Sequence, residues 1–184
     1  MQYDQYSHHR QSLRLREYDY SQAGAYFVTI CTRNRECLFD EFPVLKQIVE
    51  RQWLDIPSRF QNVELDECVV MPNHVHGIIM IVGATLAVAP DVTDGLSDRI
   101  APSRAGASPA PTNTIGDIIG TFKSLCVHDW LNHIKQHNID AVGKFWQRNY
   151  YERVIRNDTE LNKIREYIIA NPAMWDSDEE NQMS

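Results

Sequence analysis

Two hydrophobic spacings alternate along this chain, and their order restricts it to few folds. Residues 26–32 (YFVTICT) are aromatic and β-branched and follow Gly24, the composition of a strand. Val44, Leu45, Ile48, Val49 and Trp53 then recur at helical spacing, with Pro57 expected to close that helix. Residues 63–71 read as a second strand, Pro72 and Asn73 as a turn, and residues 74–82 as a third strand completing a hairpin. Thr114, with Asp117 three residues on, signals a helix start. The apolar stripe that follows is Ile118, Ile119, Phe122, Leu125, Cys126, Trp130, Leu131 and Ile134. Residues 150–155 predict a further strand. Asp158 or Thr159 is the expected cap of a last helix bearing Leu161, Ile164, Ile168 and Ile169. That helix must stop before Pro172, whose ring and missing amide cannot continue it.

The order strand, helix, strand, strand, helix, strand, helix predicts an α+β domain. Its first six elements match the ferredoxin-like (split βαβ) arrangement, an antiparallel sheet with helices on one face, and the seventh is an added C-terminal helix. At 184 residues with 43% apolar side chains, one domain over residues 20–175 can bury a core without disulfides or a structural metal. Residues 1–19 form a polar leader holding Arg10, Arg14 and Arg16. Residues 83–113 are rich in Ala, Pro, Gly and Ser without periodicity and are expected to be a mobile insertion. Residues 176–184, with Asp176, Asp178, Glu179 and Glu180, are expected to be an acidic disordered tail. The absence of any apolar run of about 18 residues, or of a signal-type leader, predicts no membrane association and a cytoplasmic location. The four cysteines show no CxxC pair and are expected to be reduced.

A net charge of -7 argues mildly against a nucleic-acid partner. The charge is uneven, however: Lys144, Arg148, Arg153 and Arg156 stand against Glu152 alone between residues 144 and 156. Local basic surface is therefore available.

His74-Val75-His76 falls in the third strand, where positions two apart share a face. Two imidazoles side by side suit a divalent metal, although on a half-exposed strand such a pair is more often two plain polar residues. Tyr167 and Asn171 lie four apart on the last helix, one turn from each other. The phenol can serve as a nucleophile and the amide oxygen as a ligand, or Tyr167 can cap the core and Asn171 end the helix. His133 and His137 are a competing pair at the end of the long helix, without the glutamate of a zinc-protease motif. Tyr150 and Tyr151 rival Tyr167; their stretch FWQRNYY interleaves aromatic and basic residues as base stacking with phosphate contact requires. Spacing alone leaves these alternatives open.

Five stretches together resemble the REP-associated tyrosine transposases, single-tyrosine enzymes of the His-hydrophobic-His type. They are residues 26–35 (YFVTICTRNR), 69–81 (VVMPNHVHGIIMI), 120–124 (GTFKS), 145–156 (FWQRNYYERVIR) and 166–172 (EYIIANP), in the family's order. The resemblance implies that His74, His76 and Asn171 bind a divalent metal, Mg²⁺ or Mn²⁺. It implies that Tyr167 is the nucleophile, with Tyr150 and Tyr151 left to folding or strand binding. It further implies DNA contacts by Arg148, Arg153, Arg156 and Lys123, and a single-stranded or hairpin DNA substrate, bound by a monomer or a homodimer. The implied reaction is strand cleavage and rejoining through a 5′-phosphotyrosine. A free phenol, with a pKa of about 10, needs activation for this near neutral pH. The alternatives are a non-catalytic nucleic-acid-binding module on the same fold and a metal-dependent hydrolase that attacks with water.

Overall fold

The computed structural model describes residues 22–82, 113–177 and Asn181. The leader, the insertion up to residue 112 and most of the acidic tail lie outside the described residues. Four strands form one antiparallel sheet: β1 (Gly24–Cys31), β2 (Val63–Val70), β3 (His74–Ile81) and β4 (Tyr151–Ile155). Their spatial order is β2-β3-β1-β4, with β1 between β3 and β4, as a ferredoxin-like sheet requires. The helices are α1 (Leu38–Glu41), α2 (Pro43–Leu54), α3 (Ile56–Arg59), α4 (Ile115–His137) and α5 (Asp158–Ala170). Among the described residues no helix is long and apolar enough to cross a membrane.

The period-two alternation in β1 and β3 divides the apolar side chains between two cores. Tyr26, Val28, Ile30, Val75, Ile79 and Ile81 face Leu45, Val49 and Trp53 of α2 and Ile118, Phe122 and Cys126 of α4. The alternate residues Phe27 and Ile78 turn to the other side and join Ile155 and Ile168 of α5. The added C-terminal helix thus covers the sheet face that the other helices leave open. Fully burying one side chain such as Ile168, 1% exposed, contributes roughly 2 kcal/mol to that docking.

Local signals set most boundaries. Thr114 accepts from the amide of Asp117 while the Asp117 carboxylate accepts from the amide of Thr114, a full capping box. Asn138 closes α4 in the left-handed region at φ 52°, which asparagine tolerates. Two expectations need correction. Pro57 does not close α2; it stands in the first turn of α3, where its missing amide leaves no bond unmade. The cap of α5 is Asn157, whose side chain accepts from the amide of Glu160, one residue ahead of the expected Asp158 or Thr159.

Candidate active site

His74 and His76 leave β3 on the face covered by α5, with Val75 pointing into the opposite core. Their ring centroids are 4.3 Å apart. Cover by α5 makes them more enclosed than a half-exposed strand would: His74 is 0% and His76 3% exposed. Both imidazoles are held through Nδ1. Oγ1 of Thr29, the register partner of His76 on β1, lies 2.9 Å from His76 Nδ1. Oδ1 of Asn73 lies 2.8 Å from His74 Nδ1.

Tyr167 reaches this pair from α5. Its hydroxyl is hydrogen-bonded to His76 Nε2 at 3.1 Å, and the residue stays 46% exposed. Phe27 packs against both partners, stacked on His76 at 5.3 Å and edge-on to Tyr167 at 6.1 Å between centroids. Asn171 is buried at the C-cap of α5. The 3-10 turn Asn171–Ser177 that it begins carries Trp175 to 6.0 Å from the His74 ring. Trp175, four residues after Asn171, therefore lies beside His74.

The helix that presents Tyr167 is latched at its side. The irregularity between Leu65 and Cys68 in β2 falls where Asp66 accepts from Nε and Nη2 of Arg165. This fork of hydrogen bonds pulls the Asp66 carboxyl below the usual carboxylate range.

The basic residues are differently placed. Arg153 stands on β4 opposite Phe27, on the histidine side of the sheet; its guanidinium is exposed and pairs with Glu160. Arg148 and Arg156 are exposed. Lys123 on α4 donates from Nζ to the backbone carbonyls of Gln147 (2.6 Å) and Arg148 (3.1 Å). Burial brings its amine down to about 8. Its hydrogen bonds thus tie α4 to the loop bearing Arg148.

Of the rivals, Tyr151 packs edge-on to Phe27 at 6.4 Å, and Tyr150 packs against the larger core. The rings of His133 and His137 are 4.2 Å apart, and Nδ1 of His137 donates to the carbonyl of His133 at 3.0 Å. Among the described residues no three His, Cys, Asp or Glu side chains gather as a metal cluster. A third side-chain ligand beside His74 and His76 would thus come from another residue type, and the amide of Asn171 is of that kind. Spacing missed Thr29, Asn73, Phe27, Trp175 and the Asp66–Arg165 latch. Only Asn73, adjacent to His74 in a proline turn, left a local trace.

The fold is similar to that of a REP-associated tyrosine transposase solved bound to a REP hairpin. The TM-score is 0.53 at 19% identity, over 86% of this chain and 72% of that one. No protein-family model matches. The chain belongs to the same family as a Haemophilus influenzae protein described only as uncharacterized, to which it is 39% identical over 181 residues, 94% of this chain and 93% of the relative.

Proposed function

We propose that this chain is a metal-dependent tyrosine transposase that cuts and rejoins single-stranded DNA through a 5′-phosphotyrosine. The observation that carries the reading is the 3.1 Å approach of the Tyr167 hydroxyl to Nε2 of His76, beside His74. A water-attacking hydrolase does not require a phenol as nucleophile there.

The donor set fits a divalent ion. Both imidazoles engage oxygen through Nδ1, the outer partnership that leaves Nε2 as the ligating nitrogen. At His76 a bound ion would take the nitrogen that the Tyr167 hydroxyl meets in this structure, so the phenol would be left beside the ion. Asn171 adds an amide oxygen, which suits Mg²⁺ or Mn²⁺. Held by His74, His76 and Asn171, such an ion would supply Lewis-acid polarisation of a phosphate oxygen.

The remaining work falls to the chain's own residues. Phe27 fixes the ring of Tyr167 from its edge, which limits the orientations of the phenol oxygen. In the forward step that oxygen releases its proton to solvent and bonds to phosphorus. The bond from phosphorus to the 3′ oxygen breaks, and the 3′ oxygen leaves with a proton. The reverse attack by a 3′-hydroxyl reseals the strand, with no external energy source required. Arg148, Arg153 and Arg156 offer phosphate contacts at the rim, and Lys123 acts through the loop it holds.

Hairpin DNA is the expected substrate because the fold is shared with a protein solved on a REP hairpin. The contact between the phenol and His76 is made within one chain, so attack in a monomer needs no residue from a second copy. The test is a labelled single-stranded hairpin with Mn²⁺, run on a denaturing gel. Wild type should form a covalent protein–DNA adduct and Tyr167→Phe none. Cleavage without adduct in both would replace this reading with a hydrolase.

A further inference from the structure

Asn73 precedes His74 in the 72–73 turn, is 0% exposed, and uses both ends of its amide. Nδ2 donates to the carbonyl of Arg35 at 3.0 Å, and Oδ1 meets His74 Nδ1 at 2.8 Å. The first bond settles the second. Turning the amide over would bring oxygen against the Arg35 carbonyl, two acceptors face to face. With Oδ1 thereby fixed as an acceptor, His74 Nδ1 must be the donor. The neutral ring then keeps its lone pair on Nε2.

The turn that presents the Arg35 carbonyl is held in an unfavourable shape. Asn34 and Arg35 lie consecutively in the left-handed region, at φ 54° and 56°. L residues adopt that region at a cost, and it persists only where surroundings enforce it. Here the amide of Thr32 donates to the Asn73 carbonyl at 2.8 Å, and the amide of Phe39 donates to the Pro72 carbonyl at 3.0 Å. The hairpin turn and the segment after β1 are thus stapled together, with the Asn73 side chain between them.

We propose that Asn73 is a positioning residue that locks His74 in the Nδ1–H tautomer, so that Nε2 is the nitrogen offered to a divalent cation. The inference rests on the proposed metal site but is read out separately from it. Free neutral imidazole side chains favour the opposite tautomer, so the lock has a measurable effect.

The experiment uses the full chain, ¹⁵N-labelled and treated with chelator, at a pH where histidine is neutral. Two-bond ¹H–¹⁵N correlation reports the His74 tautomer, and calorimetric titration with Mn²⁺ alone reports affinity. In wild type, Nδ1 carries the proton. In Asn73→Ala, the proton moves wholly or partly to Nε2, and Mn²⁺ affinity falls about 10- to 100-fold. If the alanine variant does not fold, the wild-type spectrum decides the matter, because the lock requires the proton on Nδ1. Retention of Nδ1–H in Asn73→Ala, or the Nε2–H form in wild type, overturns the proposal. Wild type that binds no Mn²⁺ but shows the tautomer change would instead sink the metal site and leave the lock standing.

Discussion

Gly77 and Trp53 claim the same space on the sheet. A Cβ at residue 77 would lie 2.2 Å from Cζ2 of the indole, and Trp53 is 2% exposed, so the indole would have to shift within the core. Gly77 follows His76 directly, so the contact that seats α2 also presses on the strand holding the imidazoles. Gly77→Ala should therefore destabilise the protein by roughly 1–3 kcal/mol through overpacking. Urea unfolding would show a lower midpoint with an unchanged slope; an unchanged midpoint would contradict the packing described.

Tyr167→Phe removes a hydroxyl from a residue that is nearly half exposed and leaves its ring contacts with Phe27 and His76 in place. Stability should move by no more than about 1 kcal/mol. Hairpin binding measured by fluorescence anisotropy should be retained while the covalent adduct disappears. Loss of binding together with adduct would point to a structural role for the phenol.

The Asp66–Arg165 latch should govern how firmly α5 sits on the sheet. Because Arg165 lowers the Asp66 carboxyl in the folded state, the stabilisation is full above the ordinary carboxylate value of 3.8. It is lost as pH falls through the depressed folded value. Asp66→Asn should lower the unfolding midpoint at neutral pH and speed hydrogen exchange of α5 amides more than those of β1. Equal exchange in both proteins would show that apolar contacts alone dock the helix.

Lys123 gives the opposite sign of pH dependence to the buried thiols. Its amine titrates near 8 when folded and at 10.5 in the reference state, so the unfolded chain binds more protons between those values. The Lys123 contribution to stability therefore rises with pH from about 8 and is complete above 10.5. Burial holds the Cys68 thiol up to about 12, so its contribution falls above 9.0. Comparing wild type with Lys123→Met from pH 7.5 to 9 isolates the lysine: the rise should be present in the first and absent in the second.

Removal of divalent metal should abolish adduct formation, and Mn²⁺ should restore it. His76→Ala and Asn171→Ala should each weaken Mn²⁺ binding measured by calorimetry. Adduct formation in excess chelator would refute a metal requirement.

What the sequence revealed divides by range. Period-two and helical spacing carried the seven main elements, because each signal lies within one segment. The shared face of His74 and His76 and the shared turn of Tyr167 and Asn171 were legible for the same reason. The cross-strand partnership of Thr29 with His76 depends on register between β1 and β3, 47 residues apart, and no local spacing encodes it. The Asp66–Arg165 latch spans 99 residues and falls at an irregularity in β2. The short helix α1 escaped notice because four residues carry too little periodicity to register.

The packing of α5 onto its own sheet has a kinetic meaning. A chain that joins the phenol and imidazoles by its own fold would react at a rate proportional to protein concentration, not to its square. Two damaged copies, one lacking the phenol and one lacking an imidazole, would not repair each other when mixed.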